Sequence, residues 1–300
     1  MKPRIIVVGS SNTDMIIKVP HLPAPGETVL GDEFQMIHGG KGANQAIAAA
    51  RAGGQVIFLS CLGNDTFGKN ALEKLKNEGI DTSHIKISDE GPSGVAMINV
   101  ASSGENSISV APGANSLLLP EDIERAGSIF ENADIVLLQL EIPMETVTRT
   151  IRLAREYNLR VILNPAPARK LEPGLLAMID IITPNETEAA ILSSVENEGL
   201  DKKTLIGKLK ELGLETIIIT LGEKGVMFSS NGQEGHMNGN KVDVIDTTAA
   251  GDTFNGYLAV ALAGGATLDE SIRIANQAAS VSVTRLGAST SIPFLSEINL

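Results

Sequence analysis

The residues Asp246-Thr247-Thr248-Ala249-Ala250-Gly251-Asp252-Thr253-Phe254-Asn255-Gly256 place a carboxylate directly after three small residues and before an apolar segment, Tyr257 to Leu262. That order predicts a loop becoming a helix. Bare backbone N–H groups and about half a unit of positive charge point out of such a helix start. Ala249, Ala250 and Gly251 are small enough to let an anion such as phosphate reach those groups closely. A carboxylate held beside that hole, Asp252, is placed to take a proton from an attacking hydroxyl. The ordinary role of an Asp at a helix start is to cap it. The surrounding motif argues for the chemical role instead.

A second motif, Gly39-Gly40-Lys41-Gly42-Ala43-Asn44-Gln45-Ala46, opens an Ala-rich segment ending at Gly53-Gly54. Gly39, Gly40 and Gly42 allow backbone to pack against a ligand, and Lys41 and Asn44 offer donors to hydroxyls or phosphate. By itself it also fits a tight turn into a close-packed helix, and no buried strand runs into it as a dinucleotide fingerprint requires. Gly63 to Asn70 imitates a phosphate loop, but the final position holds Asn70 where Ser or Thr must bind magnesium, and Asp65 reads as a helix cap. Pro184-Asn185-Glu186-Thr187-Glu188 follows a buried run and opens a helix, so Asn185 and Glu188 are candidates for magnesium or phosphate, with a plain capping motif as the alternative. Thr220-Leu221-Gly222-Glu223-Lys224-Gly225 follows another run and would face a nucleotide. Asn12 and Asp14 come just after the first run. Five segment ends thus converge on one edge of a sheet. His21, His38, His84 and His236 show no ligand spacing, and Cys61, at the end of an apolar run, reads as a packed thiol.

The elements that must position these groups alternate. Ile5 to Val8, Val56 to Leu59, Ile135 to Leu138, Val161 to Leu163, Ile179 to Ile182 and Ile217 to Ile219 are continuous apolar runs, suited to strands buried on both faces of a parallel sheet. Helices are expected from Asp65 to about Glu78, from Pro120 to about Phe130, from Pro143 to about Tyr157, and from Lys202 to Leu212. The fold class is therefore α/β: a three-layer α/β/α arrangement with a mostly parallel central sheet. Asp14 to Val19 with Val29 to Ile37, and Gly94 to Val100 with Ser107 to Val110, read as antiparallel hairpins. They form a small β lid, discontinuous over about 13–38 and 94–110, on one domain spanning 1–300. Its apolar face calls for a partner, so a homodimer is expected.

Composition narrows the classes. The chain has 300 residues, is 43% hydrophobic and 20% charged, and carries a net charge of −12, which argues against a nucleic-acid partner. No apolar stretch approaches a membrane span, and Met1-Lys2-Pro3-Arg4 leads straight into a strand without a signal-peptide pattern. With Cys61 the single cysteine, no disulfide framework or thiolate metal site is available, and the expected location is the cytoplasm.

Together the motifs, from Asn12 to Ser291, resemble the ribokinase-like carbohydrate kinase family. The resemblance implies transfer of the ATP γ-phosphoryl group to a sugar hydroxymethyl, with the 5-hydroxyl of D-ribose as acceptor. It implies Asn12, Asp14, Gly40, Lys41, Gly42, Asn44 and Glu141 as sugar contacts, and Asp252 as base beside an anion hole of Ala249, Ala250 and Gly251. Asn185, Glu188, Thr220, Gly222, Gly225, Gly251 and Asn276 fall to the nucleotide and its Mg2+. Asp246, Thr248, Ser282, Arg285, Gly287 and Ser291 match a K+ loop, several through backbone carbonyls. A lid-mediated dimer is implied as well. A kinase for another sugar or a nucleoside, or a sugar-responsive protein without turnover, are the alternatives.

Overall fold

The computed structural model describes residues 2–194 and 202–299. In chain order its strands are β1 (Arg4–Val8), β2 (Asn12–Val19), β3 (Glu33–Gly39), β4 (Gln55–Leu59), β5 (Cys61–Gly63), β6 (Lys86–Ser88), β7 (Gly94–Ala101), β8 (Asn106–Ala111), β9 (Ile135–Leu138), β10 (Arg160–Leu163), β11 (Ile181–Ile182), β12 (Thr216–Thr220), β13 (Val226–Ser230) and β14 (Gln233–Met237). Its helices are α1 (Lys41–Arg51), α2 (Thr66–Asn77), α3 (Pro120–Arg125), α4 (Met144–Glu156), α5 (Pro173–Leu176), α6 (Glu186–Ser193), α7 (Lys202–Glu211), α8 (Ala250–Ala263) and α9 (Leu268–Ser282).

All six apolar runs enter one eight-stranded sheet, ordered β14-β13-β12-β11-β10-β9-β1-β4. From β4 to β12 every pairing is parallel. Alternation along β1 explains the two cores. Ile6 and Val8 pack with Val147, Ile151 and Ile206 of α4 and α7 on one face. Ile5 and Val7 pack with Ile47, Phe254 and Ile272 of α1, α8 and α9 on the other. Strands buried on both faces must be apolar throughout, and these are.

The helix α8 lies hard against α1. A Cβ placed on Gly256 would sit 2.4 Å from the Ala48 Cβ and 2.7 Å from the Ala49 nitrogen, so only glycine admits this approach. The contact brings the first turn of α8 beside that of α1, where the two motifs of the sequence lie.

The ends of elements follow local chemistry. Asp65 caps α2, accepting from the Gly68 amide at 2.8 Å, and Gly79 beyond it has φ +75°. Three expected boundaries change. The helix from Pro120 stops at Arg125 and Gly127–Asn132 continues as a 3-10 turn, because Gly127 interrupts it. Pro143 is the N-cap rather than the first helical residue, with ψ 137°. The run at Ile179 is a strand only over Ile181–Ile182, since Asp180 turns its carboxylate onto the Val161 amide at 2.7 Å.

Both hairpins form, β2 with β3 and β7 with β8, antiparallel within each pair. They merge into one four-stranded sheet through a parallel β2–β7 seam that the sequence did not suggest. The third strand is Glu33–Gly39, beginning later than expected and leaving Leu30 outside it and exposed. The hairpin β13–β14 was not anticipated, although Asn231-Gly232 between them, both with positive φ, is a strong two-residue turn signal. No helix among the described residues is long and apolar enough to cross a membrane.

Candidate active site

Asp252 is the third residue of α8. It does not cap the helix. Its Oδ2 accepts from Asn44 Nδ2 and its Oδ1 from Gln45 Nε2, both at 3.0 Å, and the side chain is 8% exposed. Ala249, the N-cap, adopts φ +60° and offers no side-chain cap. The Ala250 amide donates to the Thr247 carbonyl at 3.2 Å, whereas the amides of Gly251 and Asp252 find no acceptor among the described residues. Of the expected anion hole of Ala249 to Gly251, only the Ala250 amide is engaged; the Ala249 amide, like those of Gly251 and Asp252, has no acceptor among the described residues. In front of Gly251 lies open space, since an added Cβ would meet nothing within 4 Å.

The expected sugar-binding residues gather beside it. Asp14 projects from β2, next to the start of α1. Gly40, with φ +88°, carries the chain past the Ser11 and Asn12 backbone at a distance no side chain tolerates, and Gly42 packs on Gly9 and Ser10. Glu141, after β9, accepts from the Ser10 hydroxyl and from the Lys41 amide at 3.1 Å, and its Oε1 lies 3.9 Å from Lys41 Nζ. Asn44 Oδ1 is buried without a donor among the described residues, an acceptor suited to a ligand hydroxyl. Asn12 is fixed by a residue the sequence reading missed: Asn115 donates to Asn12 Oδ1 at 2.7 Å and accepts from the Ser11 amide at 2.8 Å.

Four carboxylates thus surround one ammonium. Burial, then the charges of Glu141 and Asp252, lift the Asp14 pKa to about 7, against the opposing pull of Lys41. Burial also raises Asp252, while Lys41 and the amides of Gln45 and Asn44 oppose the rise. For Lys41, burial disfavours the charge, but Asp252, Glu141, Glu188 and Asp14 outweigh it and hold its pKa above the ordinary value.

Beyond Gly251 opens a cavity of about 750 Å³. Thr220, Gly222, Gly225, Gly251 and Asn276, all expected at the nucleotide, line it. Its apolar wall of Val242, Val244, Phe254, Ala279 and Val283 was not foreseen. The alternation Val242, Val244 in an otherwise polar loop was the available signal. Asn185 and Glu188 do not line it, although Asn185 bridges to Thr220 of its wall; they form a reciprocal capping box on α6, with Glu188 N to Asn185 Oδ1 at 2.8 Å and Asn185 N to Glu188 Oε2 at 2.9 Å. The capping alternative is thus realised, yet Glu188 still feels both Lys41 and Asp252, and burial raises its pKa. Two grooves at the opposite end of the sheet, around Arg155, Arg160 and Asp180, contain none of these residues.

Of the expected cation loop, the structure joins Asp246, Thr248 and Gly287. Asp246 Oδ1 accepts from the Thr248 amide and hydroxyl, and Oδ2 from the Gly287 amide at 2.9 Å. Ser282 and Ser291 turn their hydroxyls onto the Ala279 and Ala288 carbonyls, and Arg285 pairs with Glu297 at 2.6 Å. Those three side chains are committed, so they can meet an ion only through main-chain carbonyls or a hydroxyl lone pair.

Comparison with known proteins agrees with this geometry. The pfkB family carbohydrate kinase model matches residues 2–295. A protein named ribokinase from Haemophilus influenzae is 46% identical over 98% of this chain and 96% of its own length. A deoxyribokinase from Salmonella typhi is 36% identical over 98% and 97%. The structure of Arabidopsis thaliana ribokinase complexed with ribose and ATP superposes with a TM-score of 0.91 at 34% identity, covering 99% of this chain and 97% of that one. A match of this extent, on a chain whose two motifs meet at one helix mouth, makes this protein a member of the pfkB family of carbohydrate kinases.

Proposed function

We propose that this chain transfers the γ-phosphoryl group of ATP to the 5-hydroxyl of D-ribose, giving ribose 5-phosphate and ADP, as one catalytic unit closed by the β2–β3–β7–β8 lid. The observation that carries the reading is Asp252: a buried carboxylate that leaves its helix uncapped, beside free amides at a helix start whose Gly251 lines the cavity. Asp14, Asn44 and Glu141 hold the sugar hydroxyls, with Asn12, Gly40 and Gly42 shaping the floor. The sugar oxygen forms its bond to the γ-phosphorus as the bond to the β–γ bridging oxygen breaks, and the hydroxyl proton passes to Asp252. Raised basicity makes Asp252 a better acceptor than an ordinary Asp. The amides of Gly251 and Asp252, the helix dipole and Lys41 balance the charge on the transferring group. Thr220, Gly222, Gly225 and Asn276 line the cavity for the nucleotide. Asn185, bridged to Thr220, and its capping partner Glu188 offer oxygen ligands that fit Mg2+ held largely through water, which neutralises phosphate charge when bound.

Replacing Asp252 by Asn keeps the shape and removes the base. Turnover with ribose and ATP falls by about 10²–10⁴-fold, while calorimetric ribose binding stays close to the parent value. A purified Asp252→Asn enzyme with near-parental turnover overturns the assignment. Because one relative is a deoxyribokinase, the same ADP-release assay with ribose, 2-deoxyribose and a nucleoside separates the acceptors. Release fastest with ribose is expected.

The Asp246 loop supports a K+ site, since one carboxylate with hydroxyl and carbonyl oxygens suits a weakly charged ion. Turnover is expected to be several-fold higher in potassium than in sodium at equal ionic strength, and Asp246→Ala to erase the difference. Equal rates for the parent enzyme in both salts refute the site.

Asp14 makes a test through stability. Its folded pKa of about 7 lies above the ordinary 3.8, so its contribution is intact below pH 4 and is lost as pH rises through 7. Asp14→Asn therefore raises the melting temperature at pH 8, by an amount that shrinks toward pH 5, and weakens ribose binding about 10- to 100-fold. A lower melting temperature at pH 8 contradicts this charge balance.

The lid supports a homodimer. Phe34, Met36 and Met97 are 56%, 60% and 46% exposed, and the strand register sets them on one face with Met15 and Ile17. That apolar face is suited to the same face of a second copy. Sedimentation is expected to give a dimer for the parent and a monomer for Met36→Asp; a monomeric parent disproves it.

A further inference from the structure

Beneath Asp252 lies a buried chain of side-chain amides that neither motif announces. Gln45, on α1, is 0% exposed and lies at its centre. Its Nε2 donates to Asp252 Oδ1 at 3.0 Å and to Asn164 Oδ1 at 3.1 Å, and its Oε1 accepts from Gln139 Nε2 at 2.6 Å. Asn164 Nδ2 then donates to the Thr183 carbonyl at 3.2 Å, and the Thr183 hydroxyl donates to Asn255 Oδ1 at 2.6 Å. Asn255 closes the ring by donating from Nδ2 to the Gly251 carbonyl at 2.8 Å. Gln139, Asn164 and Thr183 follow directly after β9, β10 and β11, so three adjacent strand ends carry the chain.

The direction of each bond is forced. The Asp252 carboxylate can only accept, which turns the Gln45 NH2 toward it and leaves Gln45 Oε1 to accept from the Gln139 NH2. A flipped Gln45 would set its oxygen against Asp252 and leave two acceptors facing each other. Asn44, by contrast, holds Oδ2 from the side where the sugar is expected, and its own oxygen is free for a ligand.

We propose that Gln45 is a positioning residue for the phosphoryl transfer: through Gln139 and Asn164 it fixes the plane of the Asp252 carboxylate on the frame of the central sheet and keeps that carboxylate ionised. The network also ties the carboxylate to the Gly251 carbonyl, so base and anion hole move as one body. The proposal rests on Asp252 being the base. Of the groups around Asp252, Lys41 of α1 favours its ionised form, whereas Glu141, after β9, Glu188 of α6 and Asp14 of β2 disfavour it. The donation from Gln45 acts with Lys41.

The test is the pH–rate profile of Gln45→Met, close in volume and lacking the donor. Without the donor the carboxylate holds its proton more tightly, so the acidic limb of kcat moves up by about one pH unit. At pH 7, kcat falls about 10-fold or more, while KM for ribose and for ATP change little. Gln139→Met, which frees Gln45 to turn, shifts the limb the same way by less and serves where Gln45→Met fails to fold. An unmoved limb in a folded variant, or a fall confined to substrate KM, overturns the proposal. Asp252→Asn separates the two readings: if that enzyme is inactive and both Met variants keep the parental profile, only the role of Gln45 fails.

Discussion

The contact between α1 and α8 at Gly256 is the constraint on which the site depends. The two motifs lie about two hundred residues apart in sequence, and each is incomplete alone. α1 brings Lys41, Asn44 and Gln45; α8 brings Asp252 and the free amides of its first turn. Side-chain amides are short, and a donor must come within about 3.2 Å of its acceptor to count. Helices packed at the usual 8–10 Å separation through large side chains would not let Gln45 reach Asp252. The Ala-rich face of α1 and Gly256 of α8 remove that bulk, so backbone proximity is converted into side-chain contact. Local composition that looks like filler is what makes the chemistry possible.

That closeness creates an electrostatic problem, and the site's behaviour follows from how it is managed. Asp14, Glu141, Glu188 and Asp252 share one lysine, and burial raises Asp14, Asp252 and Glu188 together. The free protein is therefore held in an unfavourable arrangement by its fold. A carboxylate whose charge is disfavoured gains from a hydroxyl that donates to it, and a basic carboxylate gains from a proton. Ligand and reaction each relieve part of the tension, which is the pattern expected where stability is traded for function.

The fold was largely legible because its logic is local. Continuous apolar runs such as Ile5 to Val8 announce strands covered on both faces, and Asp65, Gly79 and Gly213 mark helix ends by their own conformational preferences. What stayed hidden needed information from a distance. The parallel β2–β7 seam joins strands far apart in the chain, and nothing in either hairpin specifies it. Asn115 locks Asn12 across about a hundred residues, and Gln139, Asn164 and Thr183 are ordinary polar residues until three strand ends lie side by side. The β13–β14 hairpin is a different case, since Asn231-Gly232 carried a local signal that went unread. At Asn185 and Glu188 the capping reading is the one realised, as a reciprocal cap on α6.

Helix mouths are common, and most carry an acidic side chain turned back onto their own amides. Here the N-cap is Ala249, which has no such side chain, and Asp252, three residues on, turns to α1 instead. Two donors from α1 hold it, and the amides of Gly251 and Asp252 have no acceptor among the described residues. A capping side chain at position 249 would add about 1 kcal/mol of helix stability and occupy those amides. The donors on α1 thus orient the carboxylate through side chains alone. A phosphate and a carboxylate would ordinarily repel each other at such a distance. In the proposed function they share this helix end because the carboxylate is held by side-chain amides, which leaves the backbone amides for the anion.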